Sequence, residues 1–586
     1  MKAQLLLIVT TFVTLASLGE SYERVYQHRK AKKRGKSQLI EHVRDSVNTT
    51  IYTKTKRSKS GKGKGGKGKG SGESPSSTPS QSPSVSSPPS SEPSVSPKPS
   101  SKTMPPTKSP PPSVSSQPSS YSCYTTGGRI TDIITMLDSV SKHVVIGSPQ
   151  EHAATWLQFV DQSNNCNDEL KERYILATLY YSTNGQKWKN QTNWLSNEDH
   201  CSWFGVTCKY NSVQRLALTD NGLKGTIPYE LESLQSLDCI ILDKNELYGH
   251  VPTEIFGLPE LYRFNVEENQ LSGQLFQPDF FQSSDTLKML QIKANSFSGQ
   301  LPTEMNSLTR LEDFRFDKNN FTGTLPSLDE LNNLIYLKGS DNQLNGTIPH
   351  FSDTMTHLKV IDLSNNEFSG AIPWSIGSLS NLEKLLLGGM KLEGSIPYTF
   401  WKLSNLRHLH AQDNQLIGSI STKFGELPFL ETLWLSYNNI EGTVPDFSSN
   451  RLDYLNLDKN SLTGTIPSSL FELESLRILY LSNNQLTGKI PNNLKAAKEL
   501  KDLYLNNNKL TGYIPEVEDD SLPAIAEILF NNNHLAGPVP DGYCALEDLL
   551  SVTINADCAV PQGGQAQNEC KCCAECTVGK GAILKN

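Results

Sequence analysis

A block reading Asn-x-Leu-x-Gly-x-Ile-Pro, or a close variant, recurs fourteen times between Asn221 and Asn533. Its first position falls at 221, 245, 269, 295, 319, 342, 366, 390, 414, 438, 460, 484, 508 and 533, and nine of the thirteen intervals are 24 residues. Thirteen of these positions are Asn, and Met390 is the exception. A unit of that length cannot bury an apolar face alone. Copies must stack, each contacting its neighbours, and this excludes an ordinary multi-domain arrangement for most of the 586 residues.

Upstream of each block sits an apolar-x-apolar pair, such as Leu455-Asn456-Leu457 or Leu503-Tyr504-Leu505. One short strand per turn follows, its paired Leu or Ile pointing inward and neighbouring copies forming a continuous apolar column. The Asn amide then lies inside the turn, where it bonds backbone groups that would otherwise be buried unpaired. Met390 has no amide to offer and should cost its part of the ladder about 1–3 kcal/mol. Fourteen strands about 4.8 Å apart give a sheet on the order of 60 Å long.

The pattern resembles the leucine-rich repeat, and its Gly-x-Ile-Pro ending resembles the plant-type class. The resemblance implies an α/β solenoid: a right-handed superhelix of about fourteen coils with a helical, disulfide-bonded N-terminal cap and a Cys-rich C-terminal cap. Trp188, Asn193, Trp194, Leu195 and the segment Cys201-Ser202-Trp203-Phe204-Gly205-Val206-Thr207-Cys208 are similar to the family's N-terminal cap. In such caps the Cys pair is bonded and the aromatics cover the first coil's core. The preceding region, with Tyr174 to Leu179 and Ser182-Thr183-Asn184-Gly185, looks like secreted algal proteins of this class. Helical apolar spacing covers Ile130 to Val145, Glu151 to Val160 and Asp168 to Tyr181. Cys544, Cys558, Cys570, Cys572, Cys573 and Cys576 crowd the C-terminal end and read as a disulfide cap, since zinc would need reduced thiolates.

The rest of the chain differs in kind. Lys2 and the apolar stretch Leu5 to Leu18 read as a secretory signal over residues 1–19, with an uncleaved anchor as the alternative. Residues 20–70 form a basic segment: Arg24 to Lys69 carries sixteen Lys/Arg against two acids, a net +14 inside a whole-chain charge of −7. Residues 71–122 form a Ser/Pro-rich stalk, with 21 Ser and 14 Pro between Ser71 and Ser120. Neither segment has enough to bury, so both are expected to be disordered. Order is expected from Cys123, with the cap to 211, repeats over 212–543 and the Cys-rich tail over 544–586. Sequons at Asn48, Asn190, Asn320 and Asn345 are expected to carry glycans.

In the family the ligand surface is the concave sheet, and its outward residues stand two, four and six positions before each repeat Asn. On the C-terminal half these include Leu386, His408, His410, Trp434, Tyr454, Tyr480 and Tyr504, flanked by the short polar residues Ser436, Asp458, Ser482 and Asn506. Aromatic faces beside short hydrogen-bonding groups suit sugar rings or an extended peptide. The eighteen outward positions from His408 to Asn531 contain no Lys or Arg, which disfavours a polyanion there. The N-terminal half is mixed, with Arg215, Arg263, Lys293, Arg315 and Lys338 against Asp243, Glu267, Asp313 and Asp317. His408 and His410 could share a metal, but Lys384, Leu386, Thr432 and Trp434 offer no good third ligand, so they read as surface histidines. Cys239 points to the same face as the odd thiol, either free or bridging another chain.

Nothing resembles a catalytic constellation: there is no His-Glu-x-x-His, Gly-x-Ser-x-Gly or phosphate loop, and no kinase motif. No apolar run reaches the length of a membrane span, and the tail Gly579 to Asn586 has no anchor signal. No cofactor, metal or nucleic-acid partner is expected. The expected function is extracellular binding, receptor-like or inhibitor-like, of a peptide, glycan or protein. The alternative is a wall or matrix protein held to an anionic surface by residues 24–69, unless Lys32-Lys33-Arg34 marks a processing site that removes them.

Overall fold

The computed structural model describes residues 129–141, 144–163, 167–281, 286–448, 451–518, 521–537 and 539–543, residue 546, and strands at 553–557, 575–578 and 582–583. The signal, basic and stalk segments, Asn48, Cys123, Cys166, Cys544, Cys558, Cys570, Cys572 and Cys573 lie outside the described residues. Three helices open the described part: α1 (Arg129–Val140), α2 (Pro149–Phe159) and α3 (Asn167–Ser182). α2 starts where Ser148 accepts from Glu151 N at 3.2 Å with Pro in the first turn, while the Glu151 carboxylate reaches back to Gly147 N at 2.8 Å. α1 ends at Val140, not at Val145. Val145 and Ile146 are 62% and 72% exposed, with no face to pack on, and Ser141 instead joins Tyr174 Oη (2.7 Å) and donates to Glu230 Oε1 (3.0 Å).

The helices and the first coil lock together around one cation. Arg173 is fully buried between the rings of Trp156 and Trp203, its guanidinium carbon 5.3 and 5.0 Å from their centroids. It donates to Asp161 Oδ1 (2.8 Å), Glu198 O (2.8 Å) and Ser196 O (2.6 Å), so the buried charge is fully met. Trp188, Trp194 and Trp203 pack ring to ring at 4.8 and 5.1 Å over the first coil, and Cys201 and Cys208 are joined in a disulfide.

An antiparallel pair, Val206–Lys209 with Ser212–Ala217, begins an 18-stranded sheet among the described residues. From Ser212–Ala217 onward every neighbour is parallel and adds in chain order, through Cys239–Ile241, Arg263–Asn265 and so on to Glu527–Leu529. Each strand occupies the six-to-four positions before a ladder residue. Sheet pairing continues past the last repeat Asn, into Thr553–Asp557 and then Glu575–Val578, the strand that contains Cys576. Inward Leu pairs such as Leu455/Leu457 and Leu503/Leu505 are completely buried.

The Asn ladder has the geometry expected of it. Asn438 Nδ2 donates to Ala411 O (2.9 Å), Leu435 O (3.0 Å) and Ser436 O (3.2 Å), while its Oδ1 accepts from Leu416 N at 3.0 Å. Asn245, Asn269, Asn366 and Asn484 repeat the arrangement. Met390 is buried at 7% exposure and offers no such acceptor, so Phe368 N receives no amide oxygen from the next coil. The residue just before each ladder position is left-handed, from Asp220 (φ 48°) to Asn532 (φ 58°). That bend turns the chain from the strand into the coil.

A second parallel sheet was not expected. It runs from Lys224–Gly225 through Gln270–Gln274 and Asn320–Thr324 to Lys391–Glu393, eight strands on the flank after the ladder. Asn320 and Asn345 belong to it and are exposed, so they sit on strands and not on plain turns.

Candidate functional site

On the long sheet's open face, parallel register puts outward residues of successive coils side by side: His408 with Thr432 and Tyr454, and His410 with Trp434, Asn456 and Tyr480. Rings therefore accumulate into one run across five strands. Centroid separations are 6.3 Å for His408–His410, 5.6 Å for His410–Trp434 and 5.9 Å for Trp434–Tyr454. The run continues at 6.1 Å for Tyr454–Tyr480 and ends in a Tyr480–Tyr504 stack at 4.1 Å and 12°. Four strand gaps span about 19 Å, the length of roughly six residues of extended chain. Leu386 pairs with His410 and extends this face by one apolar residue. All seven expected residues are partly exposed and fall on consecutive strands.

The polar groups of the run are held from within the sheet. Thr432 Oγ1 lies 3.0 Å from His408 Nδ1 and 2.8 Å from His410 Nε2. Trp434 Nε1 donates to Ser436 Oγ at 2.6 Å, and Asn456 Nδ2 donates to Tyr454 Oη at 3.1 Å. Tyr480 donates to Asp502 at 3.2 Å, and Tyr504 donates to Glu527. These tethers fix ring orientation before any ligand arrives. Burial lowers His410 to about 4 and lowers His408, so both imidazoles are neutral near pH 7. Burial, helped by the nearby Asp502, pushes Tyr480 up to about 12; burial and the Glu527 carboxylate also raise Tyr504. The rings are thus uncharged near pH 7, with the Asp458 carboxylate beside them in mid-run and Asp502 and Glu527 at the far end.

Sequence reasoning missed the rim beside this run. Glu431, Asp453, Arg451, Arg477 and Glu499, with His408, line a groove of about 600 Å³. Arg407 pairs with Glu431 at 2.5 Å and Arg477 pairs with Asp453. The signal was available, since Glu431 and Asp453 both stand seven positions before a ladder Asn. A second exposed aromatic group lies elsewhere: Trp374 (59% exposed) and Tyr398 (77%) follow the Pro corners of neighbouring coils, with His350 5.8 Å from Trp374. Cys239 is free and completely buried, with Arg215 Nε donating to its sulfur at 3.5 Å. A bridge from it to another chain is therefore not available.

The family's Leucine rich repeat profile matches residues 356–416, 428–486 and 450–510. Those stretches of the solenoid are leucine-rich repeats. Among solved structures, this solenoid is similar to a plant peptide hormone receptor, RGFR1, in complex with RGF2, at 30% identity and TM-score 0.52 over 61% of each chain. It is also similar to the ectodomain of the membrane receptor kinase GASSHO1/SCHENGEN3 from Arabidopsis thaliana in complex with CASPARIAN STRIP INTEGRITY FACTOR 2. There the identity is 27% and the TM-score 0.53, over 66% of this chain and 53% of the other. A 75-residue stretch, 12% of this chain, is 40% identical to Protein MALE DISCOVERER 1 of Arabidopsis thaliana and spans 11% of that protein. The chain thus covers less than two thirds of each of these relatives. Among the described residues no helix is long and apolar enough to cross a membrane.

Proposed function

We propose that this chain is a non-catalytic extracellular binding protein that holds an extended peptide across the aromatic run from His408 to Tyr504. The observation that carries the reading is the continuity of that run: six rings on five consecutive strands, each polar group tethered by a neighbour. A preformed strip of neutral rings loses little entropy on binding and accepts a chain about six residues long. Two similar ectodomains were solved in complexes, one of them a peptide hormone receptor. Export through residues 1–19, disulfides among the C-terminal cysteines and glycans at Asn190, Asn320 and Asn345 belong to the same proposal. Sugar on Asn320 or Asn345 would stand on the second sheet and leave the open face free.

The +14 segment supports a second, compatible reading in which residues 24–69 hold the protein to an anionic matrix. The primary test is Trp434→Ala with Tyr480→Ala in the full glycosylated chain. Peptides panned on the wild type should lose binding at least about a hundredfold, the scale for two central aromatic anchors. The thermal midpoint should barely move. Unchanged retention by the double variant contradicts the reading, and Trp374→Ala with Tyr398→Ala serves as the aromatic control.

A further inference from the structure

We infer that His350, Trp374 and Tyr398 form a stacking platform for a neutral, extended, β-linked pyranose chain, separate from the aromatic run of the open face. All three stand eight positions after the ladder residue, at the Pro corners of three successive coils. Short polar residues hold that place on most other coils, as Thr253, Thr303, Ser327, Thr422 and Ser468 show. Its one other ring, Tyr229, is half-buried, whereas His350, Trp374 and Tyr398 are all exposed. Three aligned rings in water add nothing to the apolar column, so the fold does not account for them.

The backbone beneath the rings is fixed. Pro373 and Pro397 precede the short helical turns Trp374–Ser378 and Tyr398–Lys402 and hold φ at −67° and −56°. The residues after the rings are buried and tie one corner to the next. Phe351 N donates to Ser375 Oγ at 3.0 Å, and Thr399 Oγ1 donates to Trp374 O at 2.7 Å. Just upstream, strands Gln343–Gly346, Glu367–Ala371 and Lys391–Glu393 pair in parallel, which sets the advance per coil at about 4.8 Å. The His350 and Trp374 rings meet at 64° with centroids 5.8 Å apart, an edge contact that steadies both.

A pyranose with equatorial hydroxyls carries C–H groups on its faces and hydroxyls around its edge. Aromatic rings take up the C–H faces, and an extended β-linked chain advances one sugar over nearly the distance of one coil. Rings one coil apart therefore meet successive sugars. Charged side chains of these coils and the next pair with one another: Lys391 with Glu367 at 3.2 Å and Lys423 with Glu426 at 2.6 Å. Lys402 lies over the Trp401 ring, 5.9 Å from its centroid. That leaves no basic row for a polyanion and favours a neutral chain. A protein partner fits less well, because an interface core needs contiguous apolar area. Phe351, Ile376 and Phe400 of the same corners are buried, and only rings emerge.

The test uses the full chain after enzymatic removal of N-glycans, so that sugar at Asn345 cannot occupy the rings itself. Cellohexaose and chitohexaose, titrated by calorimetry, distinguish a glucose chain from an N-acetylglucosamine chain. The wild type should bind at least one of them, and the matching disaccharide, too short for three coils, at least about tenfold more weakly. W374A/Y398A should lose about tenfold or more in affinity with an unchanged thermal midpoint, since both side chains are exposed. W434A/Y480A should bind the sugar as the wild type does. Failure of the wild type to bind either hexasaccharide overturns the inference, and so does equal affinity of wild type and W374A/Y398A. Loss in W434A/Y480A instead would place the sugar on the open face and overturn it as well. The peptide reading does not enter this test, because peptide binding is read separately and should survive W374A/Y398A.

Discussion

Replacing Asn438 by Ala tests the ladder where it supports the aromatic run. The side chain is 8% exposed and joins three coils, with Nδ2 on Ala411 O, Leu435 O and Ser436 O and Oδ1 on Leu416 N. The carbonyls keep other donors, since Asn414 also reaches Ala411 O and Asn460 also reaches Leu435 O. Leu416 N loses its side-chain acceptor and is left bare, at about 1–3 kcal/mol, and two N–H to O bonds vanish at about 1 kcal/mol each. The expected loss is about 3–5 kcal/mol. Because each coil contacts only its neighbours, the loss should appear locally before it appears globally. Urea unfolding gives the total, and amide exchange around Leu416 and Leu433 gives the location. Binding should fall as well, because Trp434 and Ser436 ride on the same strand and bend. A loss under about 1 kcal/mol, or exchange unchanged near Leu416, would refute the claim that these amides hold the coils together.

Two further outcomes follow from the same geometry. Arg173→Met should destabilise the helical cap by about 3–5 kcal/mol, because it removes the buried cation that faces the Asp161 carboxylate; chemical unfolding followed by Trp fluorescence checks it. Acid should also weaken the fold through His410. The folded imidazole takes its proton near 4 and the unfolded one near 6.5. The unfolded state therefore binds more protons between those values, and stability falls as pH falls through that window. Comparing wild type with His410→Gln at pH 7 and 4.5 should remove about 1–2 kcal/mol of the acid loss, after allowance for solvent around a half-buried ring.

Much of this was readable from one chain because a repeat converts sequence spacing into spatial adjacency. Once the Asn positions are aligned, His410, Trp434 and Tyr480 must line up, since the coils that carry them are neighbours in register. The same alignment could have exposed the tethers, as Tyr480–Asp502 and Tyr504–Glu527 are 22 and 23 residues apart. The second sheet was not legible. Segments such as Gln270–Gln274 and Asn320–Thr324 pair mainly through backbone, and their Gly and polar side chains read as turn. The burial of Cys239 escaped notice for another reason. Being outward on a strand sets direction, not exposure, and long neighbours such as Arg215 reach over it.

The most direct measurement is photo-crosslinking of a panned peptide, bearing a benzophenone side chain at successive positions, to the full glycosylated chain, with the adducts mapped by mass spectrometry. The account predicts adducts on the strands His408–His410 through Asp502–Tyr504, stepping one strand for every one to two residues of peptide. Adducts confined to the Trp374 and Tyr398 flank, or scattered without order along the sheet, would contradict it.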